Sequence, residues 1–242
     1  MRTVLALLAV LALAIGPASA QVILFEDWET GDDGWVNYGS GPFPTLDNTQ
    51  NTTPGGQWSL KTADNATTNY TNAKDYSWAT ETPKLWVVSW NFMHKSTTTR
   101  EYLQIHSYSG GGGSGNLQQL ISLGVYNAAP ADTTKYNFRV AVGSVNWANT
   151  TIARTPNVWH SMKVEQFLDG TINFWIDGQL GATATTTAVY GITRIRVGSG
   201  LTNNNAGAWY DDIKVEIVPE PGSLVALGTG LIALVGLRRR RL

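Results

Sequence analysis

The chain reads as an all-β protein, a sandwich of two antiparallel sheets, on three observations. Short stretches alternate apolar and polar residues, as in Trp86-Val87-Val88-Ser89-Trp90-Asn91-Phe92-Met93, which is the period of a strand buried on one face. Gly, Asn, Asp and Pro separate about a dozen such stretches, with no sustained 3.6-residue apolar period. Ten tryptophans and no cysteine leave large rings, not disulfides, to fill and stabilise the space between sheets.

The elements follow in order. Residues 1–20 are expected to be an export signal: Arg2, the apolar run Val4 to Ile15, then Ala18-Ser19-Ala20, small residues that a signal peptidase accepts. The body, residues 21–217, opens with a strand at Val22 to Asp27, a polar turn at Thr30 to Gly34, and Trp35. Gly39 to Gly56 carries Pro42, Pro44 and Pro54 and reads as a long surface loop. Trp58, Leu60 and Thr62 mark a short strand, and Asp64 to Lys74 returns to loop chemistry.

Two strands between Glu81 and Tyr108 are predicted to form the middle of the sheets and to pair with each other. In the second, Tyr102, Gln104, His106 and Tyr108 alternate with Leu103 and Ile105. Gly110 to Gly115 reads as a flexible connection. Its G-x-G-x-x-G spacing lacks the strand-to-helix context of a nucleotide site. Further strands are predicted at Leu120 to Tyr126, Tyr136 to Val142, Trp159 to Phe167, Thr171 to Ile176, Arg194 to Gly198 and Ala208 to Ile217. Within Pro156 to Leu180, His160, Met162 and Val164 form one face of a strand, Leu168-Asp169-Gly170 a turn, Ile172, Phe174 and Ile176 the apolar face of the return strand, and Asp177-Gly178 a second turn.

That order, Trp159-His160, strand, Asp-Gly, strand, Asp-Gly, resembles the central hairpin of concanavalin A-like lectin and glucanase jelly rolls. Phe25-Glu26-Asp27-Trp28 followed by Gly34-Trp35 resembles the opening of extracellular jelly-roll and carbohydrate-binding modules. The resemblance implies a jelly roll, a fold that carries lectins, glycosidases, lyases and structural modules alike. It also implies a structural Ca²⁺ held by Glu26 with Asp211 and Asp212, ions of this kind taking six to eight oxygen ligands. A basic neighbour such as Lys61, or solvent, is the alternative means of offsetting those charges.

The C-terminus, residues 218–242, is the most specific stretch. Val218-Pro219-Glu220-Pro221, an apolar run of 14 residues from Leu224 to Leu237, and Arg238-Arg239-Arg240-Arg241 closely resemble the PEP-CTERM sorting signal recognised by exosortase. A 14-residue helix spans roughly 21 Å against roughly 30 Å of hydrocarbon, which suits a transient inner-membrane anchor. The arginines stay on the cytoplasmic side, which places the body outside.

Charge and motifs narrow the function. Residues 21–218 hold 12 basic and 17 acidic groups, a net charge of −5 with no basic stripe in the sequence, which argues against nucleic acid as partner. No H-E-x-x-H, G-x-S-x-G or C-x-x-C occurs, and His94, His106 and His160 lack metal-ligand spacing; His160, on an apolar face, reads as a core histidine. No E-x-D-x-x-E strand supplies the carboxylate pair of a retaining glucanase, so no catalytic residue is assigned. Trp28, Tyr38, Trp78, Trp147 and Tyr190 are the candidates for stacking on sugars, with packing as the competing use of each. The sequence thus describes an exported module for glycan binding or matrix structure, processed by signal peptidase and exosortase and delivered to the cell envelope or extracellular polysaccharide. A polysaccharide-active hydrolase or lyase with catalytic carboxylates outside these motifs is the alternative.

Pro219 and Pro221 keep helix and sheet from running through the sorting segment and leave it open to a membrane enzyme. Protein from the native host is expected to lack Arg238 to Arg241 by intact-mass analysis. Recovery solely of a membrane-held form that runs to Leu242, in cells expressing an exosortase, would overturn the sorting reading.

Overall fold

The structure, a computed structural model, describes residues 20–39, 41–64, 73–96, 99–141, 145–198 and 207–218. The helices expected at the two ends, and Pro219 to Pro221 with Arg238 to Arg241, lie outside the described residues.

Fifteen strands are described: β1 (Gln21–Glu26), β2 (Val36–Tyr38), β3 (Thr45–Asp47), β4 (Ser59–Lys61), β5 (Ala73–Ser77), β6 (Trp86–His94), β7 (Glu101–Tyr108), β8 (Leu117–Val125), β9 (Lys135–Ala141), β10 (Val145–Ala153), β11 (His160–Gln166), β12 (Thr171–Ile176), β13 (Gln179–Thr185), β14 (Arg194–Val197) and β15 (Ala208–Ile217). They form two sheets, with every pairing antiparallel. The first has the order β13-β12-β11-β6-β15-β4-β3, with β1 also paired to β15; the second has the order β10-β9-β8-β7-β14-β5-β2. The all-β two-sheet sandwich is the predicted fold class.

The alternation in the sequence fills the space between the sheets. Trp86, Val88, Trp90 and Phe92 of β6, Met162 and Val164 of β11, and Ile172, Phe174 and Ile176 of β12 meet Leu103, Ile105, Ile121, Leu123, Phe138 and Val140 of the second sheet in one core. Phe138 and Phe174 touch across it, with ring centroids 4.6 Å apart. The hairpin from His160 to Gln179 forms as predicted. Asp177 and Gly178 both have positive φ, 50° and 73°, and make a two-residue turn between paired Ile176 and Gln179. His160 is buried, and its ring nitrogens meet Asp177 Oδ2 at 2.6 Å and the Thr155 carbonyl at 3.1 Å.

Two expectations are corrected. β6 and β7 do not pair: β6 lies between β11 and β15, and β7 between β8 and β14 in the opposite sheet. Each buries its apolar face in the same core from opposite sides, so they are partners in packing and not in hydrogen bonding. The glycine cluster is a packed 3₁₀ turn at Gly111–Gly113 in place of a flexible connection, with Gly112 N donating to the Trp78 carbonyl at 2.7 Å. Five strands went unpredicted, and four of them, β2, β3, β10 and β13, are sheet edges. An edge strand has a neighbour on one side alone, and here these strands carry weak apolar alternation.

β15 closes the structure. Gln21 stands opposite Ile217, and Val218 N donates to the Leu85 carbonyl at 3.2 Å, so the N- and C-terminal boundaries of the body lie side by side. In the core, the Tyr210 hydroxyl donates across to Glu101 Oε2 at 3.4 Å. Burial raises the Glu101 carboxyl from 4.5 to about 8. The folded state therefore keeps this group protonated where the unfolded chain has ionised it. Its contribution to stability is whole below about pH 4.5 and is lost as pH rises toward about 8. Chemical denaturation of the native chain and of Glu101→Gln at pH 5 and 8 is expected to show the variant gaining on the native chain at pH 8, by on the order of a few kcal/mol. A gap independent of pH would contradict this assignment.

Candidate functional site

Because Leu103 and Ile105 enter the core, the alternation of β7 turns Tyr102, Gln104, His106 and Tyr108 to the outer face of the second sheet. The register extends this face across five strands. One row runs Asp75, Arg196, Gln104, Ser122, Arg139, and the next runs Ser77, Arg194, His106, Leu120, Ala141. The two rows thus carry three guanidinium groups and one carboxylate, on a body whose net charge is −5.

These groups are held by specific contacts. Arg196 grips Asp75 in bidentate fashion, Nε to Oδ1 at 2.7 Å and Nη2 to Oδ2 at 2.8 Å, and Arg194 Nη1 lies 3.3 Å from Asp75 Oδ2. The Tyr38 ring lies against the Arg196 guanidinium, 3.2 Å from its centroid. Arg194 is fixed by the glycine turn: Nη2 donates to the Gly112 carbonyl at 3.0 Å. A Cβ at Gly113 would collide with the Arg194 guanidinium, and one at Gly111 with the Ala79 carbonyl, which is why this turn needs glycine.

His106 is buried beside these arginines. Burial first, and then the charges of Arg196 and Arg194, hold its pKa well below 6.5, so the ring is neutral at physiological pH. A neutral ring with its proton on Nε2 donates to Gln104 Oε1 at 3.1 Å and accepts from the Tyr108 hydroxyl at 3.4 Å. Toward β10 the face becomes aromatic. Tyr126 stacks on Trp147 at 4.2 Å and 8°, Trp147 meets Tyr102 at 4.8 Å, and the Arg100 guanidinium covers Tyr126 at 4.8 Å.

The five predicted sugar-stacking residues do not gather into one patch. Trp28 is fully buried in the core, 5.1 Å from Trp35, and offers no ring face to a ligand. Trp147 is 5% exposed, its ring covered by Tyr126 and Tyr102. Trp78 packs against the core beside Tyr76. Tyr190 is half-buried, its carbonyl accepting from Trp86 Nε1 and Gln166 Nε2. Tyr38, 39% exposed, is the one of the five that lies on the outer face with an accessible ring.

The residues predicted to hold calcium face hydrogen-bond donors. Asp211 Oδ2 accepts from Thr52 N at 2.7 Å and Thr52 Oγ1 at 2.8 Å. Asp212 accepts from Thr53 Oγ1 at 2.9 Å and Asn91 Nδ2 at 2.8 Å. Glu26 accepts from Trp28 N and Trp35 Nε1, both at 2.9 Å. The donors offset the charges that a cation was expected to balance, and among the described residues no three His, Asp or Glu side chains stand together to hold a metal.

The architecture is that of the jelly-roll sandwiches. Domain 4 of AbnA, a GH43 extracellular arabinanase from Geobacillus stearothermophilus, solved in complex with arabinotriose, is similar at a TM-score of 0.57 and 11% identity, over 86% of this chain and 98% of that one. A Bacillus subtilis protein of unknown function with a galectin-like fold is similar at 0.54 and 12%, over 83% and 100%. The endo-β-1,4-glucuronan lyase of the fungus Trichoderma reesei is similar at 0.51 and 16%, over 81% and 96%. At these identities the likeness is one of fold. Residues 218–241 match the PEP-CTERM protein-sorting motif, the substrate signal for exosortase, so the chain carries the mark of export and cell-surface sorting. No curated protein matches the chain.

The Asp75 carboxylate is the fixed point of the basic end of this face. Asp75→Asn leaves Arg196 and Arg194 buried or half-buried without a counter-charge and is expected to cost about 3–5 kcal/mol of stability in chemical denaturation. A cost below about 1 kcal/mol would show that the arginines are supported elsewhere.

Proposed function

We propose that the chain is an exported, exosortase-processed surface or matrix protein whose jelly-roll body binds glycan on the outer face of its second sheet. The carrying observation is the layout of that face: two register rows of Arg, Gln, His and Ser side chains, with the accessible Tyr38 ring at one side. Polar side chains suit sugar hydroxyls, and ring faces suit the apolar faces of pyranoses. The sorting motif supports a site of action at the cell surface, where polysaccharide is the abundant partner. The glycans named for the arabinanase domain and the glucuronan lyase agree with this reading.

The alternative, a polysaccharide hydrolase or lyase, uses the same face. Hydrolysis by a carboxylate pair has little to draw on there, since Asp75 is the one carboxylate in the two rows and is engaged by two guanidinium groups. A glycan array combined with a sugar-release assay on the full chain in mild detergent separates the readings. Binding with no release of reducing ends or unsaturated product is expected. Release supports the enzyme, and absence of both binding and release leaves a structural protein.

A further inference from the structure

The outer face holds polar groups that have no partner among the described residues. Three lie close together by register. Ser122, on β8, stands between Gln104 and Arg139, and Tyr102 is two residues before Gln104 on the same side of β7. The Ser122 hydroxyl, the Tyr102 hydroxyl and Arg139 Nε are all buried with no hydrogen-bond partner among the described residues. Ser122 is 1% and Tyr102 2% exposed, although both point away from the core. Orphaned buried polar groups are costly, and a set of three on neighbouring strands marks a place where a partner belongs.

Arg139 sets the sign of that partner. Its guanidinium is half-buried and has no ion-pair partner among the described residues, whereas Arg196 and Arg194 share Asp75. Strands in a sheet are about 4.8 Å apart, so three spacings place the backbone of Arg139 roughly 14 Å from that of Arg196, about the length of three linked sugars. The span between them is lined by Gln104 and Ser122, groups suited to hydroxyls. A basic row on a chain of opposite overall charge is a local feature, not a by-product of composition.

We infer that this row binds an acidic polysaccharide, with the Arg139 guanidinium pairing a carboxylate or sulfate of one sugar and the Ser122 and Tyr102 hydroxyls completing the floor beneath it. The inference rests on the glycan-binding reading above and narrows it to anionic polymers. A planar guanidinium presents two parallel N–H donors to either oxyanion, so the two sources share one chemistry.

The test measures binding of the full chain, in mild detergent, to polygalacturonate and its methyl ester, and to dextran sulfate and dextran. Binding to at least one acidic polymer about tenfold or more tighter than to its neutral counterpart, weakening as salt is raised, is expected. Arg139→Ala is expected to remove about tenfold or more of that affinity with the melting temperature held, Arg139→Lys to restore part of it, and Lys214→Ala, on the other sheet, to change nothing. Preference for sulfate over carboxylate, or the reverse, identifies the anion. Equal binding to charged and neutral members of both pairs overturns the inference and leaves glycan binding standing. Unchanged affinity in Arg139→Ala overturns the placement on this row. Failure to bind any acidic polymer overturns the inference, and failure on the whole glycan array as well removes the glycan reading with it.

Discussion

The insertion of β15 between β6 and its partners β1 and β4 is the constraint on which the first sheet depends. β15 pairs with β6 over Ala208–Ile217, with β1 through Ile213–Ile217 and with β4 through Trp209 and Tyr210. Without it, β1, β4 and β3 have no attachment to β11, β12 and β13. Its partners are distant in sequence, so the loop-closure entropy of nearly the whole chain must be spent before the sheet is complete. The aspartates at its middle extend the same role to a loop, because Asp211 and Asp212 hold Thr52 and Thr53 against the sheet.

The second sheet is less dependent on one strand and more on side-chain contacts at its outer surface. Asp75 joins β5 to β14 through two arginines, and the glycine turn after β7 fixes Arg194 from the other side. Gly111 and Gly113 there are a packing requirement: the Ala79 carbonyl and the Arg194 guanidinium occupy the volume in which their side chains would stand. A surface built on strands and locked in this way holds its side chains in one arrangement.

Much of the fold was legible in the sequence, and the reason is burial on one face. Wherever a strand has neighbours on both sides and a core beneath it, as in β6, β11 and β12, alternation is strong and its limits are readable. Edge strands such as β10 and β13 lack that constraint, and their Thr, Asn and Ala residues resemble loop composition. Pairing was less legible, since alternation says which face of β6 and β7 is buried and nothing of which sheet holds each. The site suffered from the same limit. Tyr102, Gln104, His106 and Tyr108 were visible as one face of a strand, but Arg194 and Arg196 join them, and Asp75 joins Arg196, through pairings between strands far apart in sequence, while Arg139 joins only through the register of β8. Tryptophans in apparent loops were a poor guide, because a ring such as Trp28 folds back into the core from a residue with positive φ.

The pairing of Gln21 with Ile217, and the bond from Val218 N to the Leu85 carbonyl, bring both flanking segments out at one pole of the domain with almost no tether. The sorting motif, which begins at residue 218, thus follows directly on the tip of β15, which is paired with Gln21 and Trp86. Fraying of that tip is a local opening far cheaper than unfolding of the body. The tip of β15 pairs with Gln21 on one side and Trp86 on the other, so each end of the body is held in place by the backbone of the other.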